Sequence, residues 1–176
     1  MAGALVNNSV KIGGTVVRQF SSFTLTQGIF AHHQFRLVCP FEAIEGMKGE
    51  LFAKSRDLMG EIITINLKDV DGQNIPLLFS GVVTQVESAK FSGYMGDVVI
   101  TGFCPTILLD NGPHCNTWEK KALNNIASDV LGHFSEYIKN PVVNAAYGET
   151  FSYTVQYKET AWQFLSRLAA TYGEWF

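Results

Sequence analysis

Polar and apolar residues alternate with a period of two through much of the N-terminal half of the chain. Phe23 and Leu25 alternate with Thr24 and Thr26, and Ile63, Ile65 and Leu67 with Thr64, Asn66 and Lys68. His33, Phe35, Leu37 and Cys39 alternate in the same way with Gln34, Arg36 and Val38. That period sends successive side chains to opposite faces of a pleated strand, so each run predicts a half-buried β-strand. Two longer runs, Leu77 to Glu87 and Tyr94 to Cys104, are rich in Val and Ile, whose branched side chains suit a sheet. Asp69-Val70-Asp71-Gly72 and Ser92-Gly93 carry hairpin-turn chemistry. Pro76 cannot donate to a central ladder and marks a strand entry or edge. Strands beyond about 8 residues favour a coiled sheet that closes on itself, so the expectation is a small closed β-barrel.

The period breaks between Phe41 and Gly60, where a short helix is expected around Glu50 to Ser55. Lys11-Ile12-Gly13-Gly14 reads as a glycine-bearing loop or the start of a strand. After Cys104 the composition shifts: Pro105, Asp110, Asn111, Gly112 and Pro113 form a turn-rich link. A helix is then expected from Trp118 to Phe134, opened by Asn116 and Glu119 as a capping box. Its apolar stripe is Leu123, Ile126, Ala127, Val130, Leu131 and Phe134, and burying each large side chain is worth about 1.5–3 kcal/mol, so the helix is docked. Pro141 helps to end the segment that follows.

From Phe151 the reading is strand, capped helix, then the start of another strand. Phe151, Tyr153, Val155 and Tyr157 alternate with Ser152, Thr154 and Gln156, the pattern of a half-buried strand. Thr160 and Gln163 have capping-box spacing, and Ala161, Phe164, Leu165, Leu168, Ala169 and Tyr172 fall on one helical face. Gly173 suits a left-handed C′ position. Trp175 and Phe176 open a further apolar stretch, which reads as a fragment of a longer protein. The expected fold class is β-rich α+β: a β-barrel over 1–109 followed by a smaller α/β lobe over 110–176, truncated at its C-terminus.

Composition narrows the function classes. The 176 residues are 47% hydrophobic and 16% charged, a globular rather than a disordered balance. A net charge of −3 leaves no electrostatic footprint for nucleic acid or an anionic membrane. No apolar run reaches the ~20 residues of a membrane helix, and the N-terminus lacks the basic and apolar regions of a cleavable signal. Synthesis and folding in the cytoplasm are expected, with export by a signal-independent route left open. Cys39, Cys104 and Cys115 are odd in number and have no CxxC spacing, which favours buried or half-buried free thiols over a disulfide or metal site.

Candidate chemistry is sparse. His32 and His33 are adjacent, so on a strand they diverge and cannot share one ion. His114-Cys115 with Cys104 makes at most a partial zinc set without a fourth ligand, and His114 reads as a loop histidine. Asp69 and Asp71 with Gly72 echo a calcium loop but lack its final acid, so a hairpin turn is preferred. No nucleophile elbow, phosphate loop or dinucleotide fingerprint is present. No catalytic, cofactor-binding or metal-ligating residue is assigned.

The run from Val155 to Phe176 resembles the segment V-Q-Y-x-E-[ST]-x-x-x-F-[LIV]-x-R-L-x-x-x-x-G-x-[WY]-[FY] of the VgrG spike proteins of type VI secretion systems. Related baseplate hubs of contractile phages and extracellular injection particles share that signature. The matching residues are Val155, Gln156, Tyr157, Glu159, Thr160, Phe164, Leu165, Arg167, Leu168, Gly173, Trp175 and Phe176. Phe79 to Glu87 resembles the family strand F-x-G-[IV]-V-x-x-[VF]-E, with Gly81 at its glycine. Gly60 with the following IITINL, and Val130-Leu131, match further family positions. Between Gly93 and Cys104 the chain departs, being neutral with Gly96 and Gly102 where the family is often basic and aromatic. Glu159 and Arg167 flank a structural helix, as an ion pair on the surface or between lobes, or as a partner contact.

The resemblance implies a structural hub without turnover that joins a hexameric tail tube to a trimeric puncturing spike. Its implied partners are two further copies of the full-length protein in a homotrimer, an Hcp-like tail-tube protein, baseplate components and an effector cargo. The implied location is the bacterial cytoplasm during assembly, then secretion or injection by the contractile machine. The family's second barrel and β-helical needle lie outside these residues. The hub of a phage tail or extracellular particle is the alternative. A β-barrel enzyme or ligand-binding module is a remote one, needing converging polar groups that the sequence does not offer.

Overall fold

The computed structural model describes residues 6–44, 56–69, 77–91, 94–139 and 141–176. The helix expected at Glu50 to Ser55, the turns Val70-Asp71-Gly72 and Ser92-Gly93, and Pro76 lie outside those residues. The chain divides into two compact units, Met1–Gln27 with His33–Cys104, and Gly28–His32 with Pro105–Phe176.

Among the described residues the first unit is built on one antiparallel sheet of seven strands: β1 (Val6–Ile12), β2 (Thr15–Val17), β3 (Ser22–Thr26), β4 (Gln34–Pro40), β5 (Ile62–Asp69), β6 (Leu77–Phe91) and β7 (Tyr94–Phe103). The order across the sheet is β2-β1-β5-β6-β7-β4-β3. The sheet curls into a half-barrel. Among the described residues β2 and β3 stay unpaired with each other, and the bridge beyond the strands joins Val17 to Ile44, just past β4. The alternation seen in sequence is the alternation of burial: Phe35, Leu37 and Cys39 of β4 and Ile63 and Ile65 of β5 are all at 0% exposure. Val98 and Ile100 of β7 and Val10 and Ile12 of β1 complete that inner face. The Lys11-to-Gly14 stretch resolves as the end of β1 and its turn into β2, with Gly13 at φ 55°.

Two strand glycines let the sheet close on Phe35. A Cβ on Gly81 in β6 would meet the Phe35 and Phe79 rings at 2.8–2.9 Å. A Cβ on Gly102, which pairs with Phe35 across β4 and β7, would meet the Phe35 ring at 2.8 Å and the Val82 carbonyl oxygen at 1.9 Å. The Phe35 ring therefore lies over backbone, and these glycines mark a close approach rather than a flexible hinge.

The second unit holds a 3-10 helix (Pro105–Asp110), β8 (His114–Ala122), α1 (Leu123–Gly132), β9 (Thr150–Glu159) and α2 (Ala161–Tyr172). β8 and β9 form a two-stranded antiparallel sheet. Leu123, Ile126, Val130, Leu131 and Phe134 are buried against Phe164, Leu165 and Leu168 of α2, and Phe151 packs on the same cluster. One expectation is corrected here. The helix begins at Leu123, not Trp118, and Asn116 with Glu119 forms no capping box, because residues 114–122 are strand. The Asn116 side-chain amide donates instead to Gln156 Oε1 across the ladder at 3.0 Å, and the N-cap residue Ala122 has no side chain able to cap.

Candidate functional site

The residues of the Val155-to-Phe176 run assemble into one strand–helix unit, and most of them serve its geometry. Thr160 caps α2. Its hydroxyl accepts from the Gln163 N–H at 3.1 Å, and the Gln163 side chain accepts from the Thr160 N–H at 3.0 Å, the reciprocal box expected from sequence. The same hydroxyl donates to Asp110 Oδ1 at 2.5 Å. Gly173 ends the helix at φ 73°, in the left-handed conformation that glycine adopts without strain.

Glu159 at the end of β9 and Arg167 in α2 form a forked ion pair, with Nε at 2.6 Å and Nη2 at 2.7 Å from the two carboxylate oxygens. Nη2 also donates to the Val155 carbonyl at 2.9 Å, so one guanidinium ties strand to helix. The Arg167 hydrogen bond holds the Glu159 carboxyl below its ordinary range, opposed by partial desolvation, and Glu159 in turn raises Arg167. Both residues belong to the second unit, which makes this an intra-unit pair.

Phe164, Leu165 and Leu168 are core, and Phe164 stacks on Trp118 with ring centroids 5.0 Å apart. Phe176 packs on Trp162 at 4.7 Å, and its carbonyl accepts from the Phe30 N–H. Trp175 is 82% exposed.

The alternation of β9 is inverted relative to its chemistry. Gln156 is 1% exposed, while Tyr153, Val155 and Tyr157 are 56%, 36% and 65% exposed. The pattern predicts the strand, but of its apolar row Phe151 packs inward while Tyr153, Val155 and Tyr157 turn outward. Burial of Gln156 is tolerated because its amide is satisfied at both ends: the exposed Asn116 side chain donates to its oxygen across the strands, and its nitrogen donates to the Glu159 carbonyl at 3.0 Å. The outward row sets Tyr157, Val155 and Tyr153 beside Cys115, Thr117 and Glu119. The signal for it in sequence is the polar row, Asn116 and Gln156, 40 positions apart, which no single window joins.

The histidines and cysteines are dispersed. His32 and His33 precede β4 rather than lying on it. His32 belongs to the second unit, where its two nitrogens pair with Thr106 Oγ1 at 2.9 Å and Asp110 Oδ2 at 3.0 Å and its ring lies against Trp162. His33 pairs with Gln27 in the first unit. His114 opens β8, not a loop, and contacts Asn111 at 3.0 Å. Cys39 is buried, and burial, with Asp97 adding, pushes its thiol up to about 12. Cys104 is half-buried and accepts from the His33 N–H, whereas Cys115 is exposed, against the expectation of burial. Among the described residues no group of three or more His, Cys, Asp or Glu side chains could hold a metal. No described helix is long and apolar enough to cross a membrane.

Comparison with solved structures bears on the fold. The tail protein of Neisseria meningitidis MC58 matches at TM-score 0.68 and 18% identity over 96% of this chain and 46% of that one. The 43 kDa tail protein of prophage MuSo2 from Shewanella oneidensis matches at 0.67 and 20%, over 96% and 49%. The E. coli c3393 protein, a type VI secretion component with structural similarity to the T4 tail proteins gp27 and gp5, matches at 0.56 and 13%, over 91% and 42%. The chain thus spans just under half the length of each. No curated protein matches the sequence. The profile described as phage tail baseplate hub (GPD) matches residues 42–176, which covers parts of both units. On that match the chain belongs to the phage tail baseplate hub family.

Proposed function

We propose that this chain is the N-terminal part of a structural hub in a contractile tail, working by holding other components in register rather than by turnover. The observation that carries the reading is the family match over residues 42–176. The folds of the two tail proteins agree with it. In this reading the intact protein is a homotrimer that seats the end of a hexameric tail tube and carries a trimeric spike, with baseplate proteins around it and cargo at its tip. It is assembled in the bacterial cytoplasm and leaves with the contractile machine. Within the chain these residues act as scaffold: Gln156 ties β9 to β8, and Thr160, Glu159 and Arg167 fix β9 against α2. A type VI spike of the VgrG kind is the second reading, favoured by the fold shared with the E. coli secretion component.

The test is co-expression of the intact protein with its neighbouring tube and baseplate genes, followed by native mass spectrometry. A stable trimer that fractionates with the tube protein is expected. An intact protein that stays monomeric and co-purifies with no tail component overturns the hub reading. Residues 1–176 alone are expected to be monomeric or weakly associating at micromolar concentration, because half a hub supplies too little interface to offset the several kcal/mol of lost rigid-body freedom. A tight trimer of this fragment, seen by light scattering, refutes that division of labour.

A further inference from the structure

Between the inner face of the β8–β9 sheet and the C-terminal end of α1 lies a cavity of about 400 Å³, within the ~300–1,000 Å³ range of small-molecule sites. Strand alternation sets its floor. His114, Asn116 and Trp118 are alternate residues of β8 and share one face, and Gln156 pairs with Asn116 from β9. The opposite wall is Val130, His133, Phe134 and Tyr137. Their spacing of three and four puts them on one side of the helical winding that continues past Gly132. Asn111 and Ala161 complete the lining, and every one of these residues belongs to the second unit.

Half of this lining can hydrogen-bond, and none of it is Asp, Glu, Lys or Arg. Asn116 donates one N–H to Gln156 Oε1, and Asn111 Oδ1 accepts from His114 Nε2. The side-chain oxygen of Asn116, the side-chain N–H groups of Asn111 and the His133 ring have no hydrogen-bond partner among the described residues. Gln156, at 1% exposure, anchors the polar floor. Trp118 is held by Phe164, which stacks on one face of the indole at 12° between planes. We propose that this cavity binds a neutral pyranose sugar, either free or as the end of a glycan. A side-chain amide sets a donor and an acceptor side by side, and two adjacent ring hydroxyls match that pair. The C–H face of the sugar packs on the aromatic wall of Trp118, Phe134 and Tyr137.

Other small-molecule classes fit less well. A phosphate, a carboxylate or a nucleotide meets no cation in this lining, and an ammonium meets no carboxylate. Asp129 borders an adjoining basin of about 320 Å³, but its carboxylate is paired with Lys121, the contact that ties β8 to α1. A wholly apolar ligand would strand the open amide groups. The site is built from the second unit alone and is independent of the hub reading.

The test titrates the 176-residue chain with the methyl glycosides of glucose, galactose, mannose and N-acetylglucosamine, read by amide chemical shifts and by saturation transfer to the sugar. At least one is expected to bind at 1:1 stoichiometry, with shifts centred on residues 111–118, 130–137 and 156. His133→Ala and Tyr137→Ala change exposed side chains and leave the buried cluster intact. Each is expected to weaken binding at least about fivefold, the loss of one hydrogen bond or ring contact. Tyr153→Ala, on the outward face of the sheet, is expected to leave it unchanged. Glucose 6-phosphate and adenosine are expected not to bind. The proposal is overturned if no sugar binds, if the shifts lie elsewhere, or if both variants bind like the parent or no worse than Tyr153→Ala. Tighter binding of the phosphate or the nucleoside overturns the choice of ligand. A sugar that binds the 176-residue chain but shows no saturation transfer with the intact protein means that the cavity is filled there, which also overturns the proposal.

Discussion

Replacing Gly81 with alanine tests whether Phe35 and the strand glycines form one packing unit. The new methyl would sit 2.8 Å from Phe35 Cε1 and 2.9 Å from Phe79 Cε1, well inside the ~3.5–4.0 Å of an unstrained carbon contact. Removing a glycine restricts the unfolded chain and by itself favours folding by about 0.4–1 kcal/mol. Overpacking a filled core costs about 1–3 kcal/mol, so a net loss near 1–2 kcal/mol is expected. Phe35→Ala alone should cost about 3–5 kcal/mol, because the ring is fully buried. In the double variant the methyl enters space the ring has left, so the two losses combine to less than their sum by about 0.5–3 kcal/mol. Gly102→Ala is the control, since its methyl meets the Val82 carbonyl at 1.9 Å, a backbone obstacle that truncating Phe35 does not remove. Urea unfolding followed by far-ultraviolet circular dichroism reports both units, while Trp118, Trp162 and Trp175 report the second unit alone by fluorescence, so the sheet's transition is the part of the dichroism change that fluorescence does not follow. A stabilised Gly81→Ala, or a cycle additive to within about 0.5 kcal/mol, refutes the argument.

Leu168→Ala removes a buried side chain between α2 and α1, with an expected loss of about 2–5 kcal/mol in the tryptophan-detected transition; a loss under about half a kcal/mol shows that the helix is not docked. Glu159 titrates below its unfolded value when folded, so its stabilisation is present above the unfolded pKa and is lost as pH falls through the lower, folded one. Arg167 is 46% exposed, so Glu159→Gln should cost under about 1 kcal/mol at neutral pH and nothing once the carboxyl is protonated; a difference that grows on acidification contradicts the pairing. Native protein should show rapid reaction of Cys115 with a thiol reagent, slower reaction of Cys104, and none of Cys39 until it unfolds. Mass-mapped labelling of Cys39 under native conditions contradicts its burial.

The sequence carried the long elements because their patterns are local. β4 and β5 show their burial as plain alternation, and the α2 cap needs only Thr160 and Gln163, three positions apart. β8 was hidden because its nine residues include one large apolar side chain, Trp118, and the helical stripe that follows invites extension backwards. β1 was hidden for a related reason: from Asn7 to Ile12 it has only Val10 and Ile12 as apolar residues, too few to fix a period. The outward aromatic row of β9 was the deepest miss. Alternation gives the period of a strand but not its sign, and here the inward position is held by Gln156, an amide buried with its hydrogen bonds satisfied rather than a hydrophobic side chain.

Five residues between β3 and β4 carry a consequence for how the protein is made. Gly28–His32 belongs to the second unit although the chain on either side of it belongs to the first. Without it Asp110 loses the His32 imidazole, Trp162 loses a ring neighbour and the Phe176 carbonyl loses the Phe30 N–H. During synthesis this segment leaves the ribosome more than seventy residues ahead of its first partner, Thr106, and well over a hundred ahead of its last. It waits, unsatisfied, while the sheet around it is completed. The second unit thus cannot be excised by cutting the chain at its apparent junction after Cys104, because part of it was translated first.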